Sequence, residues 1–302
     1  MKAIVAVKYG LPDYLQLRDL QKPVPKNNEV LIRIHAATVT RGDVFLQNLP
    51  LVALLTLRLI MGLKRKRIPG HEFSGEIEST GKDVRLFKTG DRVFGTTTGL
   101  NAGSYAEYVC LPAEGTIVKK PVAMTFEEAA AVPVGGLTAL YFLRKGSIGN
   151  KQKVLIYGAS GSVGTFAVQI ARYFDAEVTA VSGTANLELV KSLGAHKVID
   201  YTKESFSENG ETYDIVFDAV GKISESDARK ALTFNGKYVT VKKGIVEEKS
   251  EDLVFLRDLI DAGKIKSVID KRFSLDQAAE AHKYVGRKHK RGNVVLTIDQ
   301  NI

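Results

Sequence analysis

Short apolar runs broken by turn residues fill the first part of the chain. Lys2–Val7, Val30–Ala36, Phe73–Ser79, Arg92–Phe94 and Tyr105–Val109 have strand-like length and β-branched or aromatic character. Tyr9-Gly10, Lys26-Asn27-Asn28, Gly81-Lys82 and Thr89-Gly90-Asp91 punctuate them, and Pro23, Pro25, Pro50, Pro69 and Pro112 fall in the same region. This pattern predicts an irregular β-rich region with few helices. Near Pro121 the period changes. Thr125 before Phe126-Glu127-Glu128 reads as a helix cap with acids in the first turn. Pro133 opens a helix over Val134–Lys145, stopped by Gly146.

From Lys153 onward, strands and helices alternate. Val154–Tyr157, Glu177–Val181, Lys197–Ile199, Tyr213–Phe217 and Lys237–Val241 read as strands; Ser162–Phe174 and Asn186–Leu193 read as helices. Continuous apolar strands between amphipathic helices predict a parallel sheet covered on both faces. Asp252–Ala262 and Leu275–Val285 read as helices and Asn293–Ile298 as a strand. The expected class is α/β in two domains. A β-rich domain spans 1–122 and 268–302, and a doubly wound domain over 123–267 interrupts it.

At 302 residues, length allows one large domain or two ordinary ones. A composition of 44% hydrophobic and 25% charged residues excludes disorder and rod-like structure. The one cysteine, Cys110, excludes a disulfide framework and a multi-cysteine zinc lobe. Net charge is +9, from 43 basic and 34 acidic residues, and it is spread along the chain. Its densest run, Lys64–Arg67, has no flanking aromatics, so no nucleic-acid partner is expected; a polyanionic cofactor suits the charge better. Leu49–Leu63 is apolar but shorter than the roughly 20 residues of a membrane span. The expectation is a soluble, cytoplasmic protein.

The clearest chemistry lies after Val154–Tyr157, in Gly158-Ala-Ser-Gly-Ser-Val-Gly164 leading into a helix. Strand, glycine turn and helix form the setting of a dinucleotide fingerprint, here with Ala159 in place of the usual first glycine. Gly161 would let the backbone approach a pyrophosphate, Gly164 would let the helix pack on the sheet, and the helix N-terminus would offer N–H groups to the anion. An acid ending the second strand would hold ribose hydroxyls and repel a phosphate. Ser182-Gly183-Thr184 stands there instead, which favours NADP, although a small polar loop also tolerates NAD.

Several further motifs accompany this loop: Pro69-Gly-His-Glu-Phe-Ser-Gly75, Thr89-Gly-Asp-Arg-Val-Phe-Gly95, Gly103-Ser-Tyr-Ala-Glu-Tyr108, Ala130–Ala139, Leu193-Gly-Ala195, Val198-Ile-Asp-Tyr201, Asp218-Ala-Val-Gly221 and Arg291-Gly-Asn-Val-Val295. With them the chain resembles the medium-chain dehydrogenase/reductase superfamily, in its zinc-free quinone oxidoreductase branch. The resemblance implies a GroES-like catalytic domain, a Rossmann domain and a cleft between them. In that cleft, hydride passes from reduced nicotinamide to a quinone or an α,β-unsaturated carbonyl. It implies NADP(H) held by Thr138 at the nicotinamide, by Ser160, Gly161, Ser162, Val163 and Gly164 at the pyrophosphate, and by Ala219, Val220 and Gly221 at the ribose–nicotinamide pocket. Ser182, Gly183, Thr184 and Tyr201 would meet the adenosine phosphate, and Asn293 would reach the cofactor from the last segment. Tyr201 reads equally as a core aromatic.

No zinc is expected. Zinc relatives share the Gly-His-Glu at His71-Glu72, but Thr38-Val39-Thr40 and Pro133-Val134 stand at their thiolate positions. Thr40, Arg41 and Thr138 are the candidate donors to the substrate oxygen, with Thr40 and Arg41 taken as the catalytic pair. The branch carries Asn where Thr40 stands, Tyr where Leu46 stands, and a basic residue where Leu187 stands. Val241–Val246 is shorter than the matching segment that pairs subunits in relatives, so homodimer and monomer both stay open. The Leu49–Arg67 insert resembles that of plastid-envelope and mitochondrial homologues. It reads as a lid, as a packed helix, or as a peripheral membrane contact through residues 50–67. Reduction of enoyl thioesters and a low-turnover redox sensor are the alternative functions.

Overall fold

The computed structural model describes residues 1–7, 14–47, 56, 68–97, 103–244 and 246–298. The apolar insert Leu49–Leu63 and the basic run Lys64–Arg67, and with them the membrane reading of residues 50–67, therefore lie outside the described residues apart from Thr56. Contacts divide the chain into two units. One comprises Met1–Pro133, Glu248–Arg257 and Ile269–Ile302; the other comprises Val134–Glu247 and Asp258–Val268.

The first unit is built on one long strand. β1 (Lys2–Ala6) and β2 (Leu15–Asp19) form an antiparallel pair. β3 (Glu29–Thr38) pairs along one side with β4 (Glu72–Thr80). Along its other side, Glu29–Arg33 pair with β6 (Tyr108–Pro112) and Ala36–Thr38 with β14 (Asn293–Thr297). β5 (Arg92–Thr96), β7 (Ile117–Lys119) and β13 (Ile269–Ser274) complete a sheet ordered β13-β14-β3-β4-β5-β7, with β6 beside β3. Val30, Ile32, Ile34, Phe73, Ile77, Leu111, Val294 and Leu296 fill its core. The β3–β4 ladder shifts register twice, and a Cβ on Gly75 would sit 2.2 Å from Arg33 O, so only glycine fits this irregular stretch.

This layout departs from the expected boundaries at 122/123 and 267/268 for physical reasons. Ala130, on the short helix Phe126–Ala130, packs with Ala36 of β3 and Val295 of β14, and Phe126 joins them. The Thr96 hydroxyl donates to Glu248 over 2.6 Å and the Ser250 hydroxyl donates to Gly115 O. Both segments thus belong with the β-rich unit. Local elements also differ from the sequence reading. Tyr105 and Ala106 precede β6 rather than forming a strand, with Ala106 only bridging Ala3. Leu275–Gln277 is a 3-10 turn, and the helix runs over Ala278–Gly286.

The second unit is a sheet of five parallel strands: β8 (Lys153–Tyr157), β9 (Glu177–Ser182), β10 (Lys197–Asp200), β11 (Tyr213–Asp218) and β12 (Leu232–Thr240). Their order is β10-β9-β8-β11-β12. Leu155, Val181, Ile199, Val216 and Tyr213 are buried within it. Helices Ser162–Tyr173, Leu187–Ser192 and Glu225–Lys230 connect the strands. Such a sheet, with its order reversing between β8 and β11, is the doubly wound architecture.

Candidate functional site

In parallel strands all C-terminal ends share one edge, and ligands settle where the strand order reverses. Here that point lies between the loops after β8 and β11. Gly158 takes a left-handed φ of +79°, and a Cβ on it would strike Val220 Cγ1 at 2.5 Å. The β8 and β11 loops therefore touch at Gly158. Gly164 closes the helix onto the strand, because a Cβ there would lie 2.2 Å from Gly158 O. Gly161 differs: within 4 Å its added Cβ would meet only Gly158 O, at 3.5 Å, so this backbone is open to an approaching group. Gly161 is the extended N-cap of Ser162–Tyr173 and has no side chain to cover the helix end. Ser160 accepts a hydrogen bond from Asn186 Nδ2, and Ser162 and Val163 form the first turn.

The helix Pro133–Lys145 packs on this turn through Gly135, where a Cβ would fall 2.7 Å from Ser162 Oγ. Thr138 is half-buried three residues further on, on the same helix face as Gly135. After β11, Asp218 organises the loop. It is fully buried, and its carboxylate accepts from the amides of Val220, Gly221 and Ile223 and from the hydroxyls of Tyr238 and Thr240. The Ala219 amide donates to Tyr157 O, and Gly221 adopts a φ of +72°. Ala219, Val220 and Gly221 thus present backbone shaped from beneath by one acid.

The ends of β9 and β10 form a polar cluster. Asp200 opposes Ser182 in the ladder. The Thr184 hydroxyl and the Thr202 hydroxyl and amide all donate to the Asp200 carboxylate, which holds its pKa below the usual range. Lys203 Nζ stands 3.8 Å from the same carboxylate. Tyr201 is exposed, and its hydroxyl lies 3.4 Å from where a Cβ on Gly183 would be. Ser182 Oγ and Asn186 Oδ1 are buried and have no partner. Unsatisfied buried polar atoms are rare, and here they sit beside open glycine backbone. The set fits a dinucleotide.

In the β-rich unit, Thr40 caps the helix Arg41–Gln47: its amide and hydroxyl both donate to Asp43, and its oxygen accepts from the Asp43 amide. The Thr40 proton is therefore committed to Asp43, while Arg41 is exposed in the first helical position. Glu72 is 1% exposed and accepts from the Thr38 hydroxyl. Burial pushes the Lys290 amine down to about 8; Glu72 and Asp270 pull it up, and Arg41 pushes it further down. Asn293 is buried at the start of β14.

His71 Nε2 is 3.3 Å from Glu248 Oε1. Among the described residues no three His, Cys, Asp or Glu side chains gather as metal ligands. Cys110 lies on β6, with its thiol pushed up to about 11 by burial, so it is a poor thiolate donor. Among the described residues, this donor set does not fit a zinc centre.

The sequence reading brought out the glycine loop, Thr138 and the Asp218 motif. The motifs along the chain give no role to Asp43, Lys203, Glu248 or Lys290, and include Asp200 only within Val198-Ile-Asp-Tyr201. Of these only Asp43 carried a local signal, as an acid three residues after a threonine. The others acquire meaning only when β9 meets β10 or when distant segments join.

Residues 26–122 match the alcohol dehydrogenase GroES-like domain, and residues 162–270 match the zinc-binding dehydrogenase domain. The chain is 33% identical to a chloroplast envelope quinone oxidoreductase homolog of Arabidopsis thaliana, over 91% of each. It is 30% identical to an NADPH-dependent alkenal/one oxidoreductase of the same plant's chloroplast, over 98% of this chain and 79% of that one. The quinone oxidoreductase of Coxiella burnetii superimposes with a TM-score of 0.84 at 28% identity, over 99% of both chains.

Proposed function

We propose, since the chain belongs to the medium-chain dehydrogenase/reductase superfamily in its quinone oxidoreductase branch, that it reduces quinones or α,β-unsaturated carbonyls with NADPH and without zinc. The observation that carries the reading is the open Gly161 turn at the reversal of strand order, beside the buried unpartnered Ser182 Oγ. The dinucleotide supplies the hydride. The chain's part is to hold and orient it. The Ser160–Gly164 backbone and the helix end receive the pyrophosphate, and the loop fixed by Asp218 lines the ribose–nicotinamide portion beside Thr138.

Hydride arrival leaves negative charge on the substrate oxygen, which a positioned donor must meet. Arg41 supplies a permanent positive charge, and the Thr40–Asp43 cap fixes the helix that carries it. An electron-poor alkene or quinone needs no Lewis acid. A cytoplasmic location is consistent with a single, half-buried cysteine.

The test is oxidation of NADPH by purified protein with 9,10-phenanthrenequinone or an alkenal, before and after dialysis against a chelator. Turnover should survive chelation, and Arg41→Ala should lower kcat/KM by about 10²-fold, the scale of losing one oxyanion donor. Loss of turnover on chelation, or nucleotide binding with no turnover across a broad acceptor panel, would refute the proposal.

A further inference from the structure

We infer that Lys203 is the cation that selects NADPH over NADH, with Tyr201 beside it and Asp200 as the residue that positions both. The inference rests on the nucleotide-binding reading above and deepens it. The helix after β9 opens with Leu187 and has an acid, Glu188, in its first turn, so the charge for a 2′-phosphate must come from elsewhere.

The turn after β10 provides it. The Tyr201 amide donates to Ser182 O, tying this turn to the end of β9, and the Lys203 and Glu204 amides both donate to Asp200 O. The turn thereby doubles back and brings Lys203 to the strand ends. Tyr201 sets its hydroxyl beside Gly183, 3.4 Å from where a Cβ would stand.

Asp200 looks at first like the acid that binds ribose hydroxyls in NAD enzymes, displaced by one strand. Its bonding argues otherwise. One carboxylate oxygen receives the Thr184 hydroxyl, and the other receives the Thr202 amide and hydroxyl. Both oxygens are committed to the protein, and the side chain is 6% exposed. A ribose diol would have to displace these donors. The Lys203 side chain is 69% exposed and its Nζ is 3.8 Å from the carboxylate, beyond a tight hydrogen bond. Its donors therefore remain available to an incoming phosphate. The buried Ser182 hydroxyl, unpartnered on the same strand end, is a further donor.

The experiment uses the full chain and probes of the adenosine end alone. Binding of 2′,5′-ADP, 5′-AMP, NADPH and NADH is measured by calorimetry at two salt concentrations, for the wild type, Lys203→Gln and Lys203→Arg. Lys203→Gln should weaken 2′,5′-ADP and NADPH about tenfold, equivalent to about 1.4 kcal/mol. It should flatten their salt dependence and leave 5′-AMP and NADH unchanged, while Lys203→Arg retains the preference. An unchanged NADPH:NADH ratio in Lys203→Gln overturns the inference, as does equal weakening of all four ligands. A wild type that favours NADH overturns it while leaving nucleotide binding intact. A wild type that binds neither dinucleotide overturns both this inference and the function it rests on.

Discussion

Buried ionisable residues set the pH behaviour of single positions. His282 is 3% exposed, stacks edge-on to Tyr105 at 5.7 Å and sits 3.3 Å from its hydroxyl. Burial lowers its pKa below 6.5, and Asp43 pulls weakly the other way. A depressed histidine binds its proton more readily in the unfolded chain, so stability is complete above the unfolded pKa near 6.5 and falls as pH drops toward the folded value. Melting curves from pH 7 to pH 5 should therefore show Tm falling in the wild type and falling less in His282→Gln. Parallel curves would show that another group governs the acid limb. Lys290 follows the same sign at the alkaline end. Its amine, lowered to about 8, is held protonated at a cost below that pH, and the cost is relieved as pH rises.

At the scale of elements, glycines and one buried acid decide where helices and loops sit. Asp218 gathers three amides from its own loop and two hydroxyls from β12. Asp218→Ala would strand these donors in a buried place, at about 1–3 kcal/mol for each left unsatisfied. Denaturant titration should show a loss above about 3 kcal/mol, with nucleotide binding reduced as the Ala219–Gly221 backbone loosens. A loss under 1 kcal/mol would mean that water substitutes for the carboxylate.

Elements with a strong hydrophobic period were legible from the chain. The strands β3, β4, β8, β9 and β11 and the helix from Ser162 fall within a residue or two of their expected bounds. β2 and β13 were not legible: β2 is largely exposed, and β13 has no buried face to give an alternation. The same holds at the site. The glycine turn is a local signal, whereas the pairing of Asp200 with Thr184 across two strands has no signature along the sequence.

For the whole molecule, a ligand that binds only the folded chain raises its stability in proportion to saturation. NADPH at about 100 times its dissociation constant should add about 2.7 kcal/mol, raising Tm. The unit bearing the parallel sheet should gain most protection from hydrogen exchange, centred on Gly158–Gly164 and Asp218–Ile223. Uniform protection, or none in these loops, would place the nucleotide elsewhere. No helix among the described residues is long and apolar enough to cross a membrane.

The order in which strands emerge has one more result. Val295 of β14 lies opposite Thr38 of β3, yet almost the whole chain separates them. On a ribosome, β3 is exposed long before that neighbour exists. The parallel sheet between them is contiguous enough to form first, since its strands need only residues 153–240. Synthesis thus leaves the Ala36–Thr38 side of β3 open until Asn293–Thr297 arrive, and a truncation before Asn293 leaves that edge permanently available to other polypeptides.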